Sequence, residues 1–123
     1  MAMWVLRIAV AGEFIGHGVF ALQGKEQWVG WIQQMLSVDL AQATQLLTYI
    51  GYMDILVALI VLLKPIRAVV LWAALWGLWT ALIRPLTGGD WWDFVERWAN
   101  WGAPLALLYL MGMPSKLNEW WKS

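Results

Sequence analysis

The stretch RIAVAGEFIGHGVFAL, residues 7–22, decides the fold class. With the apolar residues before it, this run of Ile, Val, Ala, Phe and Gly approaches the roughly 20 residues of helix that cross a bilayer core of about 30 Å. Inside it sit Glu13 and His17. At i,i+4 spacing they share one helical face. An ionisable group within a span is costly, so the pair reads first as a site or as buried partners.

The rest of the chain has the same character. Of 123 residues 62% are hydrophobic and only 13% charged, with a mean hydropathy of +0.61. That is the composition of an integral membrane protein forming one domain over 1–123. Arg7 alone would serve as an n-region, two polar residues interrupt the middle of the run and no small-x-small cleavage site lies near Leu22, so the span reads as retained and not as a signal peptide. The absence of cysteine excludes disulfides, thiol redox chemistry, iron–sulfur clusters and thiolate metal sites. A single histidine excludes a haem held by two histidines of this chain. Eight basic and eight acidic residues balance, so nothing points to a nucleic-acid partner.

Hydropathy and proline positions place spans at about 3–22, 40–64, 66–84 and 91–113. Gly12 and Gly16 form a small-xxx-small pair expected to admit a neighbouring helix. Between the first two spans, Trp28, Trp31, Ile32, Met35 and Leu36 recur near helical spacing, which predicts a short amphipathic helix lying in the interface. Ser37 or Asp39 is placed to cap the next helix. Lys64-Pro65 marks a tight turn and Arg84-Pro85 ends the third span. The expected architecture is an all-α membrane protein: a four-transmembrane-helix antiparallel bundle in contact with lipid, with one interfacial segment. Arg7, Lys64, Arg67, Lys116 and Lys122 fall on one side of it, against Lys25, Arg84 and Arg97 on the other. The positive-inside rule then puts both termini in the cytoplasm.

Placed by depth, the intramembrane polar residues fall together. Glu13, His17, Asp54, Arg84, Glu96, Arg97 and Asn100 all belong to the outer half of the bilayer, where unpaired charges are expensive. Gly51 and Ala58 share the face of Asp54, and Ala73, Gly77 and Thr80 share the stripe of Arg84, so small residues line the charged faces. Pro104 cannot donate to the carbonyl of Asn100, leaving an acceptor for a proton donor or a ligand. The cluster reads either as a ligand pocket or as an ion-pair network that fixes helix register. His17 is the one side chain able to exchange protons near neutrality. Glu13 and His17 alone fall short of a metal site, so no metal is expected.

Twelve tryptophans need their own reading. Trp4, Trp28, Trp31, Trp91, Trp92, Trp120 and Trp121 fall near span ends and read as interface anchors. Trp72, Trp76 and Trp79 form a stripe down the third span, suited to core packing, to lipid, or to docking a partner helix, a quinone ring or a pigment.

The chain resembles the DoxX-like family of small four-helix membrane proteins. The resemblance rests on Arg7 followed by Gly12-Glu13-Phe14-Ile15-Gly16-His17-Gly18, on Gly51-Tyr52-Met53-Asp54, and on Thr80-Ala81-Leu82-Ile83-Arg84-Pro85. It continues in Phe94-Val95-Glu96-Arg97 and Gly102-Ala103-Pro104-Leu105-Ala106-Leu107-Leu108. It implies a bacterial inner-membrane protein working with other membrane subunits in a quinone-linked redox system, with no covalently bound cofactor. The competing expectation is a non-catalytic accessory subunit of a respiratory or photosynthetic complex. A transporter is disfavoured, because a through-pore needs polar lining in both leaflets.

Overall fold

The computed structural model describes residues 2–122. They are helical, 82% of them, with no strand among the described residues. The order is α1 (Ala2–Leu22), α2 (Glu26–Leu36), α3 (Leu40–Leu63), α4 (Arg67–Leu86), α5 (Trp91–Glu96), α6 (Ala99–Met111) and a 3-10 turn at Leu117–Trp121. Three of them, α1, α3 and α4, are long and apolar enough to cross a membrane.

Local chemistry sets the boundaries. Asp39 caps α3, its carboxylate accepting from the Gln42 N–H at 2.7 Å. Ser37 instead closes α2 in the left-handed conformation, with φ 55°. Asp39→Ala is expected to lower stability by about 1 kcal/mol, read as a small drop in the thermal midpoint of the purified protein. Lys64-Pro65 ends α3 as expected. Arg84-Pro85 does not end α4, whose last turn carries on through Pro85 to Leu86. That turn survives because the Thr87 hydroxyl donates to the carbonyls of Ile83 and Arg84, and the Gly89 N–H donates to that of Arg84.

The expected continuous helix over 91–113 is broken. Arg97, Trp98, Asn100 and Trp101 donate to carbonyls three residues back, so the chain tightens between α5 and α6. Glu96 turns outward and Asn100 inward at this break. With 13 residues, α6 alone reaches only about 20 Å.

Packing follows the small residues, though not the pair expected. Gly12 and Gly16 meet nothing within 4 Å. The close approach of α1 to α3 lies instead at Gly18 and Gly51, where an added Cβ would come within 2.9 Å of the other glycine's carbonyl oxygen. Which glycines serve depends on how each helix is rotated towards its neighbour. Arg7 meets the carbonyls of Val61 and Leu62 while Gly18 meets Gly51, so α1 and α3 run antiparallel. By the same logic Arg67 meets Met111 and Gly77 meets Asn100, so α4 and α6 do too.

The main core is built from all four of these helices, by Val10, Phe14, Val57, Val61, Val70 and Leu107 among others. A smaller cluster of Ala21, Val29, Ala43 and Leu47 seats α2 against α1 and α3. The amphipathic segment is therefore packed on protein through Trp28, Val29 and Ile32, over the ends of α1 and α3, while Met35 and Leu36 of the same expected face are exposed.

Candidate functional site

Seating α2 in this way closes one end of the molecule around a cavity of about 90 Å³. His17 from α1, Asp54 from α3, Thr80 and Arg84 from α4, and Trp28 and Trp31 from α2 line it, with Trp76 and Trp79 on the α4 side. Its walls are mostly apolar and it is open along one side.

Each polar group there has a position set by its helix. Asp54 shares the buried face of Gly51 and Ala58 and is only 3% exposed. The Trp76 indole lies within hydrogen-bonding reach of its carboxylate, yet Oδ1 has no partner. Arg84, 9% exposed, donates to the Thr80 carbonyl at 2.7 Å and sits over the Trp31 ring at 5.0 Å. His17 lies 5.4 Å from the Trp28 ring, and the Trp28 indole N–H is itself buried without a partner. Two residues that line the cavity, Asp54 on α3 and Trp28 on α2, thus each carry a buried polar atom without a partner, one an acceptor and one a donor.

The remaining residues anticipated for this site lie around the cavity without lining it. Glu13 is half-buried and feels the charge of Arg97, which also acts on His17 and Arg84. Glu96 is exposed, although its field still reaches Arg84. Asn100 is 8% exposed, with Nδ2 unpartnered, as are Arg97 Nε and Trp101 Nε1 nearby on the chain. The backbone carbonyl of Asn100, which Pro104 cannot satisfy, packs against Gly77 and is not open to a ligand. No ion pair joins Glu13 or Asp54 to Arg84 or Arg97. These charges act on one another through space without a direct ion pair between them. Among the described residues no three His, Asp or Glu converge as metal ligands.

The tryptophan stripe on α4 is divided between two environments. Trp72 is exposed, donates to the Met53 sulfur at 3.3 Å and stacks on Trp76 at 5.6 Å. Trp76 and Trp79 reach the cavity. Trp28 and Trp31, expected as interface anchors, also line the cavity. The signal for them was present in the i,i+3,i+4 spacing of Trp28, Trp31 and Ile32. An apolar helical face does not reveal from sequence whether protein or lipid covers it.

The chain matches no family model, no curated protein and no solved structure.

Proposed function

We propose that this chain is a DoxX-like membrane subunit of a quinone-linked redox system, holding the ring of a small planar ligand in the cavity beneath α2. One observation carries the reading: Asp54, almost fully buried and with one carboxylate oxygen unsatisfied, lines a cavity that the only histidine and an arginine also line among indole walls. Ligand sites are mostly apolar with a few convergent polar groups, and full drug-sized pockets run to about 300 Å³ or more. A cavity of about 90 Å³ suits a single ring and excludes an extended substrate. The fit extends to the chemistry. The indole faces of Trp28, Trp31, Trp76 and Trp79 offer stacking surfaces to a flat ring. The Arg84 guanidinium and the Trp28 N–H are donors for a carbonyl, while Asp54 and His17 can hold or pass a proton at the ring's edge.

A quinone, when bound, supplies two-electron, two-proton chemistry, with electrons from a partner subunit bearing a flavin, haem or metal cluster. This chain's own part is to bind, orient and protonate. In this reading α5 and α6 together make a fourth pass and complete a four-helix antiparallel bundle in a bacterial inner membrane. The end carrying Arg7, Lys64 and Arg67 faces the cytoplasm, with both termini.

The test is gentle detergent extraction of the native protein followed by mass and absorption analysis of what accompanies it. A retained quinone is expected, and His17→Gln is expected to reduce its retention about tenfold, the worth of one good buried hydrogen bond, with protein yield unchanged. Stoichiometric recovery of a cofactor-bearing complex with no ligand in this chain would instead favour the accessory-subunit reading, with the exposed Trp72 as its docking residue.

A further inference from the structure

Of the described residues lining the cavity beneath α2, Trp79 alone is exposed, so the mouth lies beside it. Trp72, Trp76 and Trp79 stand at i, i+4 and i+7 and share one face of α4. That face looks towards α3: the Trp72 N–H donates to the Met53 sulfur at 3.3 Å, and the Trp76 indole lies within hydrogen-bonding reach of the Asp54 carboxylate. The mouth therefore opens on the seam between α3 and α4. These two helices touch sparingly, whereas α3 lies along α1 and α4 lies along α6. Towards α2 the seam is covered, since the Trp31 ring sits over Arg84 at 5.0 Å. Away from α2 it continues as an apolar track. Trp72 stacks on Trp76 with ring centres 5.6 Å apart and planes 21° from parallel, and Trp72 and Leu75 are exposed on this side of α4. No charged residue lies between Asp54 and Lys64 on the α3 side or between Arg67 and Arg84 on the α4 side.

A cavity of about 90 Å³ has room for one ring, so any further part of a ligand has to leave through the mouth. What leaves there meets indole, thioether and aliphatic surface at the depth of the bilayer's hydrocarbon, where only an apolar chain is at no disadvantage. We propose that the ligand is membrane-soluble, a ring carrying a long hydrocarbon chain, and that the chain lies in the α3–α4 seam over Trp76 and Trp72 and against Met53. The seam is then also the way in, from lipid and not from water. This rests on the reading of the cavity as a ring site and adds to it the class of ligand and the residues that select it. From Trp79 to Trp72 is about 10 Å of helix axis, at 1.5 Å per residue, which a chain of about ten carbons spans.

The test uses the full chain in lipid nanodiscs and two probes with one ring: a dimethoxy-methyl-benzoquinone without a tail, and the same ring with a decyl chain ending in a diazirine. On illumination the diazirine should label residues 49–60 of α3 and 68–79 of α4, and excess decyl quinone without the diazirine should suppress that label. Trp72→Ala should weaken binding of the decyl probe about fivefold, as the loss of a modest apolar contact area does, and binding of the tailless ring by less than about twofold. Trp72→Phe keeps a ring against Trp76 and should restore most of the loss. Because the chain also partitions into lipid, each variant is compared with wild type for one probe at a time. Should Trp72→Ala not fold, the label on the wild type decides alone. Label on α1 or α6, label that excess quinone does not suppress, or equal losses for the two probes in Trp72→Ala would overturn the seam and leave the ring site standing. Binding of neither probe overturns the ring site and the seam together.

Discussion

Replacing Gly77 by alanine is expected to lower stability by about 3 kcal/mol or more, the upper end of what overpacking costs. Valine at the same position should prevent α4 and α6 from meeting. An ideal Cβ on Gly77 would lie 1.9 Å from the Asn100 carbonyl oxygen and 2.5 Å from its carbon. Both are backbone atoms, so no flexible side chain can swing aside. The carbonyl there is the one Pro104 leaves without its helical donor, and the bare Cα of Gly77 lets it seat against α4. Gly12→Ala supplies the control. With nothing within 4 Å of its added Cβ, it should be neutral or gain up to about 1 kcal/mol of helix propensity. The pair is read from thermal midpoints in the same detergent. Equal midpoints for Gly77→Ala and Gly12→Ala would show that α4 and α6 do not approach as described.

The contrast between those two glycines shows what a sequence of this kind reveals. The helices α1, α3 and α4 are legible because crossing a bilayer demands length and hydropathy, and both are written residue by residue in the chain. The turn at Lys64-Pro65 is legible for a similarly local reason. The α5–α6 break is not: Glu96-Arg97-Trp98 contains no glycine or proline, and the tightening appears only in the i to i−3 hydrogen bonds that the folded chain adopts. Helix rotation is likewise non-local, which is why Gly18 and Gly51 form the close crossing where Gly12 and Gly16 were expected to.

The candidate site divides along the same line. His17, Asp54 and Arg84 stand out in sequence as ionisable residues at depth, and all three line one cavity. Glu96 stands out equally and is exposed, because the break before α6 rotates it away. Two of the indole walls come from α2, whose apolar face looks the same on paper whether it lies on lipid or on protein. Depth in the membrane is encoded locally; the identity of the neighbour is not.

Asp54→Leu is expected to separate stability from function. In a structural network, removing one partner of a buried charge pair costs about 3–5 kcal/mol because the other is stranded. Asp54 has no such partner: no ion pair reaches it and Oδ1 is unsatisfied at 3% exposure. Its burial is itself a cost, of about 1–3 kcal/mol for an unsatisfied polar group. Leucine, close to it in size, should therefore leave the ligand-free protein as stable as the wild type or more so by about that amount, while ligand retention falls at least tenfold. Asp54→Asn keeps the shape and one acceptor, so it should fall between the two in both measurements. Opposed movement of stability and binding is what a site gives, since a functional group held against its own solvation preference is a standing destabilisation that function maintains. Thermal midpoints and ligand content measured on the same preparations decide it. A midpoint for Asp54→Leu well below wild type would mean that the carboxylate holds α3 and α4 together, and the weight of the proposed site would then rest on His17 and Arg84 alone.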